Sequence, residues 1–341
     1  MIIVIIKVNR KHIKKMKHSS YTCYGGFAMS NQLSKLKENV SRVLIGKMDV
    51  LDLMLTGLIA RGHILIEDVP GVGKTLMARA ISASCHMGFR RLQCTPDLMP
   101  TDVTGFFTYD KKDGAFTFRP GPVMTNILLV DEINRAVPRT QSSLLESMEE
   151  RQATVDGQTF PLPSPFMVMA TQNPIEMEGT FPLPEAQLDR FLLKVDMGYP
   201  TANEEEEIIL THGKNTAFSD IEGVVSEKDI LFWQEEAAEI FVHPSLTTYM
   251  IALARASREH PAVEIGASPR GSLALFRASK ALAFIRGRSY VIPDDIKHLA
   301  PFALAHRLLL RREERYRGNT GLAVVTDILS GTPVPVEDDW K

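Results

Sequence analysis

Cysteine is scarce in this chain of 341 residues: there are three, Cys23, Cys85 and Cys94, and no pair has the Cys-x-x-Cys spacing of a metal site. Cys85 and Cys94 fall in apolar stretches and read as buried free thiols of a reducing compartment, which points to the cytoplasm. Long apolar runs are also missing, so no segment is suited to cross a membrane and no membrane insertion is expected. Ile2–Ile6 is too short for a signal-peptide core, and its basic stretch follows it where a signal peptide would have it first. Charge of one sign is absent overall, with a net −2. Residues 1–28 hold Lys7, Arg10, Lys11, Lys14, Lys15 and Lys17 and no acid, so the rest of the chain is acidic. An acidic body argues against a nucleic-acid surface. What remains is ordinary globular composition, 44% hydrophobic and 23% charged, over a length that accommodates two cores.

Four stretches follow from pattern. Residues 1–28 are expected to be a disordered basic extension, or an upstream start that is not normally translated. Residues 29–199 alternate strands and helices. Ser30–Arg61 reads as helical with a break at Ile45-Gly46, followed by strand Ile64–Glu67, helix Lys74–His86 and strand Arg90–Cys94. Apolar runs at Ile127–Val130, Phe166–Ala170 and Leu192–Val195 suit buried parallel strands. Helix Arg139–Arg151 has Pro138 near its first turn. Two hairpins are read around Asp113-Gly114 and Asp156-Gly157. Strands alternating with helices imply an α/β layer fold with a parallel sheet, whose ligands sit at the carboxyl ends of the strands. Residues 200–331 are helical: Asn203–His212, Lys228–Ile240, Pro244–Glu259, Pro269–Arg286, Pro293–Arg311 and Gly321–Ser330. Ser226 with Asp229 resembles a capping box, Ser268-Pro269 an N-cap followed by proline, and Gly287 a C-cap. Residues 332–341 read as a loose tail.

The chemistry begins where the first strand runs into Glu67-Asp68-Val69-Pro70-Gly71-Val72-Gly73-Lys74-Thr75-Leu76. A glycine-rich turn ending in Lys-Thr aims backbone N–H groups at phosphate. Lys74 would reach the β- and γ-phosphates and the Thr75 hydroxyl would bind Mg²⁺. The pattern G-x-x-x-x-G-K-[ST] has one departure, Asp68 at its first glycine. Position 68 lies at the strand exit, where a left-handed backbone is not required. Asp131 and Glu132 end an apolar strand and suit a Mg²⁺-supporting carboxylate and a group polarising the attacking water. The same dipeptide also serves as an ordinary strand-to-loop transition, and the preceding P-loop tips the balance. Asn173, at the tip of the next strand, can bond the γ-phosphate or the water, although Asn-Pro is also a common turn. Arg190 follows a segment that can present it outward to a neighbouring subunit, and it can equally be a salt-bridged surface arginine. Arg270 lies in the first turn of its helix, where the macrodipole disfavours a cation, which hints at an anionic partner. Glu204–Glu207, in the first turn of another helix, match the dipole without invoking a metal.

The order Gly71–Thr75, Ile127–Glu132, Asn173, Arg190, Arg270 is that of AAA+ ATPases. The wording is closer to one branch: Asp131-Glu132-Ile133-Asn134-Arg135-Ala136, Gln141, Met148-Glu149-Glu150-Arg151-Gln152, Thr154-Val155-Asp156-Gly157, Ala170–Pro174, Gly179–Arg190-Phe191 and Ser268-Pro269-Arg270. Over residues 30 to 331 the chain resembles the MoxR family. The resemblance implies a P-loop AAA+ core with inserted hairpins and a smaller all-α lid. It implies ATP and Mg²⁺ as cofactors, with Asn173 as sensor 1, Arg190 as a finger acting in trans and Arg270 as the sensor 2 arginine. Ile45-Gly46 and Tyr199-Pro200 match segments that enclose adenine. It further implies a homo-oligomeric ring, typically a hexamer, and chaperone-like maturation or cofactor loading of a client complex, often with a von Willebrand factor A protein. Fingers of this kind contribute roughly 10³–10⁵ in rate.

Other readings stay open. Gly114-Ala115-Phe116-Thr117 is similar to the loop with which enhancer-binding activators touch sigma-54, but continues as Phe118-Arg119. A DNA-acting motor of the MCM type shares the hairpins. A nucleotide-binding scaffold with little turnover is invited by Asp68.

Overall fold

A computed structural model describes residues 24–69, 71–112, 114–173, 179–212 and 221–335, with side chains from residue 31 onward except at His212. The first half is, in order, α1 (Tyr24–Ser41), α2 (Met48–Ile59), β1 (Ile64–Glu67), α3 (Lys74–Ser84), β2 (Phe89–Gln93), α4 (Pro100–Thr104), β3 (Gly105–Asp110), β4 (Ala115–Pro120), β5 (Ile127–Asp131), α5 (Pro138–Glu150), β6 (Gln152–Val155), β7 (Gln158–Pro161), β8 (Met167–Gln172), α6 (Glu185–Leu188) and β9 (Leu193–Val195). Then follow α7 (Ala202–His212), α8 (Glu227–Ala238), α9 (Pro244–Glu259), β10 (Val263–Ile265), α10 (Pro269–Ile285), α11 (Pro293–Leu304), β11 (Leu309–Leu310), α12 (Arg312–Tyr316) and α13 (Gly321–Gly331). Residues 1–23, Pro70, Asp113, Pro174 and 336–341, for which the sequence raises expectations, lie outside the described residues.

Five strands form one parallel sheet in the order β2-β5-β8-β1-β9. The apolar runs of β1, β5 and β8 sit at its centre because both faces are covered. Successive side chains alternate between two cores. Ile64, Ile66, Ile127 and Leu129 face a cluster that includes α1, α2 and α3. Leu65, Leu128 and Val130 face a second cluster with Leu144, Leu145 and Met148 of α5. The first cluster continues without a break into the helical half, where α10 is its axis. Gly271, Ala274, Ala278 and Ala281 are buried on α10, and small residues of this kind let neighbouring helices approach closely. The α/β fold and the smaller helical lid thus share one apolar cluster.

Capping follows the local sequence. Ser226 accepts from the Asp229 N–H at 3.3 Å while Asp229 accepts from the Ser226 N–H at 2.8 Å, closing the capping box of α8. Ser268 accepts from the Arg270 N–H, with Pro269 at the first position of α10. Both hairpins form in register, and Phe118 of one stacks on Phe160 of the other at 4.1 Å.

Two helix ends differ markedly from expectation. The first helix begins at Tyr24 and not Ser30. The helix expected over Pro293–Arg311 stops at Leu304, three residues after Pro301, whose missing N–H weakens the last turn. The chain then forms a short 3₁₀ turn and β11, which pairs antiparallel with β10. That pairing is long-range and leaves no local signature. No helix of the described residues is long and apolar enough to cross a membrane. Cys85 and Cys94 are buried free thiols.

Candidate functional site

The turn between β1 and α3 is shaped by two glycines whose backbones are left-handed, Gly71 (φ +89°) and Gly73 (φ +95°). A β-carbon at either position would be strained. Gly73 is the N-cap of α3, so the unpaired N–H groups of the first helical turn open onto a cavity of about 370 Å³. Gly71, Gly73, Lys74, Thr75, Leu76, Asp131, Glu132 and Asn173 line it together, all at the carboxyl end of the sheet. Val69 and Val72 are not among its lining residues. Lys74 donates to the carbonyls of Asp68 (2.9 Å) and Val69 (3.0 Å), which places its ammonium inside the loop.

The structure gives Asp68 a role beyond tolerance. It has no left-handed backbone. Its buried carboxylate accepts three backbone N–H groups: Val69 at 2.6 Å, Met197 at 2.9 Å and Gly198 at 2.8 Å. It therefore straps the P-loop to the segment between β9 and α7. Lys47 reinforces that closure by donating to the carbonyls of Gly198 and Tyr199, and the Glu204 side chain covers Gly46. Ile45-Gly46 and Tyr199-Pro200 are thus brought together beside the loop, although neither pair lines the cavity.

The carboxylates at the end of β5 are held by partners that sequence reasoning missed. Arg91 on β2 pairs with Asp131 (Nε–Oδ2, 2.5 Å), and Gln93 donates to Glu132 at 2.8 Å. Arg135 also pairs with Glu132, at 3.0 Å. Glu132 itself has φ +56° and its N–H is fixed by the Thr171 hydroxyl. A left-handed backbone on a non-glycine residue is the kind of strain found at functional sites. β2 and β5 pair Leu92 with Val130 and Gln93 with Asp131, and that register sets these contacts. Cys94, next along, has its thiol pushed up to about 12, by burial first and then by Asp131 and Glu132.

Arg190 and Arg270 are not in this cavity. They line a second one, of about 270 Å³, with Gly62, His63, Glu149, Asp189 and Arg307. Gly62-His63 precede β1, whereas the P-loop follows it. The two sites thus lie at opposite ends of the strand, about 16 Å apart along five residues. One carboxylate, Glu149 at the end of α5, bridges both arginines, at 3.2 Å to Arg190 and 2.5 Å to Arg270. Asp189 accepts from the Ser268 hydroxyl and pairs with buried Arg307, tying the two arginine-bearing segments together. The expected anionic partner of Arg270 is therefore, within the protomer, Glu149.

A parallel five-stranded sheet with a P-loop and an Asp-Glu pair at its carboxyl edge, followed by a helical lid, is the build of a AAA+ ATPase. Comparison agrees: residues 63–193 match the model of the ATPase family associated with various cellular activities, and residues 255–328 match the AAA lid domain. The chain is 50% identical to the YeaC protein of Bacillus subtilis, over 89% of this chain and 95% of that one. It is 46% identical to the chaperone MoxR1 of Mycobacterium tuberculosis, over 80% of this chain and 74% of that one. A crystal structure of a candidate ATPase from Cytophaga hutchinsonii superposes with a TM-score of 0.87 at 36% identity, covering 92% of this chain and 98% of that one. The chain belongs to the MoxR family of AAA+ ATPases.

Proposed function

We propose that the protein hydrolyses ATP at a site shared between two copies of the chain and uses the cycle to remodel a client protein complex. The observation that carries this reading is the division of the predicted site. Lys74, Thr75, Asp131, Glu132 and Asn173 converge on one cavity, while Arg190 and Arg270 sit together at the far end of β1. A protomer's arginines then serve a neighbour's nucleotide. Such an interface is heterologous, head to tail, and closes into a ring when the rotation permits. The family supports a hexamer.

The residues fit the implied group. Left-handed glycines and helix N–H groups suit the triphosphate, and the Thr75 hydroxyl and Asp131 carboxylate are hard oxygen donors suited to Mg²⁺. Bound Mg²⁺ would neutralise charge on the β- and γ-phosphates. Lys74 compensates phosphate charge, Glu132 orients the attacking water, and Asn173 positions the water or the γ-phosphate. Arg190 and Arg270 of the neighbouring copy stabilise the charge that develops in the transition state. The name of the relative, chaperone MoxR1, supports a chaperone role. The family resemblance adds a client complex and a von Willebrand factor A protein as partners, and the scarce, unpaired cysteines favour the cytoplasm. The acidic body supports a protein client over nucleic acid.

Glu132→Gln tests the reading. The expected outcome is retained Mg-ATP binding with turnover lowered at least about a hundredfold. Parent and variant turning over equally slowly would favour the scaffold reading, for which the pairing of Glu132 with both Gln93 and Arg135 is the one favourable observation.

A further inference from the structure

Helix α7 leaves most of its surface in solvent. Glu205, Glu206 and Glu207 are exposed, and so are Ile209 (65%) and Leu210 (68%). The macrodipole accounts for acids in the first turn. It does not account for two large aliphatic side chains in water one turn later, which is the mark of a contact surface. The helix starts beside the P-loop cavity, because Gly198 is held by Asp68 and Glu204 lies over Gly46.

At the other end of β1, the cavity that holds Arg190 and Arg270 is also lined by Arg61, Arg151 and Arg277. Glu149 and Asp189 are committed to Arg190, Arg270 and Arg307. Arg61 and Arg277 are exposed and meet no carboxylate among the described residues. Among the described residues the Arg151 side chain donates only to the carbonyls of Arg61 and Phe166. Its guanidinium is held below its ordinary value by burial and then by Arg61 and Arg277, so the three cations crowd one another. Uncompensated cations around a recess attract an anionic partner. Leu273, 45% exposed and one turn before Arg277 on the same face of α10, supplies an apolar step beside them. Arg61, Arg151, Arg277 and Leu273 also line an adjoining groove with Glu235 and Glu236 of α8 and its C-cap Glu239, and none of these three carboxylates is within ion-pair distance of the arginines among the described residues.

We propose that α7 of one protomer docks on the Arg61–Arg151–Arg277 surface of the next copy of this chain, with Ile209 and Leu210 against Leu273. The proposal rests on the reading that the nucleotide site is completed in trans. Presenting Arg190 and Arg270 to a neighbour's P-loop sets the arginine surface alongside the helix that starts at that P-loop. The acids and the apolar pair on α7 then meet the cations and the leucine on α10, and each surface covers what the other leaves exposed.

The test is assembly, measured as mass by analytical ultracentrifugation with Mg-ATP in a Glu132→Gln background, so that turnover plays no part. Three chains are compared with that parent: Glu205→Lys/Glu206→Lys/Glu207→Lys, Arg61→Glu/Arg277→Glu, and all five changes combined. The positions are exposed, and far-ultraviolet circular dichroism confirms each fold. Each reversal set is expected to weaken assembly at least about tenfold, and the combined chain to recover to within about threefold of the parent. A reversal set that assembles like the parent overturns the proposal. So does a combined chain weaker than either set, or a parent that stays monomeric. Rings that respond to charge in this way but show no hydrolysis when Glu132 is restored would refute the ATPase reading and leave the contact standing.

Discussion

Replacing Asp68 separates two views of the P-loop. If the position needs only a residue that fits the strand exit, Asp68→Gly restores the glycine of the motif and costs nothing. The geometry says otherwise. The carboxylate accepts from Val69, Met197 and Gly198, and it is buried. Hydrogen bonds to charged groups contribute about 1.5–3 kcal/mol each, and a buried N–H left without an acceptor costs about 1–3 kcal/mol. In Asp68→Gly, Gly198 keeps a second acceptor in Asp196, at 2.9 Å, while the N–H groups of Val69 and Met197 lose theirs. The expected loss is about 2–6 kcal/mol, before the added backbone freedom of glycine. Asp68→Asn keeps one carbonyl oxygen and turns its amide toward the remaining donors, so it loses about 1.5–3 kcal/mol. Because the strap joins the P-loop to the 197–198 segment, nucleotide binding weakens together with stability. Thermal unfolding with and without Mg-ATP reads both effects. The expected order of Tm is parent, Asn, Gly, with the increment from nucleotide shrinking in the same order. A glycine variant that melts at or above the parent and binds nucleotide equally well would refute the reasoning.

Three further outcomes are expected. Lys74→Ala and Arg190→Ala chains should each be inactive in hydrolysis, yet mixed in equal amounts they should regain activity at about a quarter of their interfaces, since a head-to-tail contact then pairs an intact P-loop with an intact arginine. Mixtures as inactive as their components would remove the trans role of Arg190. Gln93→Ala frees Glu132 from a bond of about 1 kcal/mol and should raise turnover of the assembled protein up to about fivefold without changing nucleotide affinity. A fall in turnover would mean that Gln93 supports the active arrangement. His63 is held down to about 3 by burial first and then by Arg151, with Nδ1 accepting from the Val168 N–H and Nε2 donating to the Met148 carbonyl. Its folded value lies below the ordinary one, so its contribution is complete above about pH 6.5 and is lost as pH falls, by about 2 kcal/mol at pH 5. Chemical denaturation at pH 7 and pH 5 should show that extra loss in the parent and not in His63→Gln; equal losses would contradict it.

Much of the architecture was legible because its causes are local. Apolar runs bounded by turn residues placed β1, β5 and β8, and the caps at Ser226 and Ser268 fixed two lid helices, since each depends on residues within four positions. The glycine-rich turn and the Asp131-Glu132 pair were legible for the same reason: each is a short run of residues whose place at a strand's carboxyl end follows from its own sequence. Family resemblance then named Asn173, Arg190 and Arg270, which their own surroundings could not. The residues missed share the opposite property. Arg91 and Gln93 reach Asp131 and Glu132 only because β2 pairs with β5 in one register, and Glu149 meets Arg190 and Arg270 only because α5, α6 and α10 converge.

The sequence alone determined the alternating strands and helices, the phosphate loop and the kind of chemistry the chain can carry, because these follow from periodicity and residue type over short spans. Tertiary structure decided that Asp68 works as a strap and not a flaw, and that Arg190 and Arg270 stand at the far end of β1, beyond reach of their own P-loop. Both depend on where distant segments meet in space, and backbone N–H groups and carboxylates leave no trace of that in the order of residues.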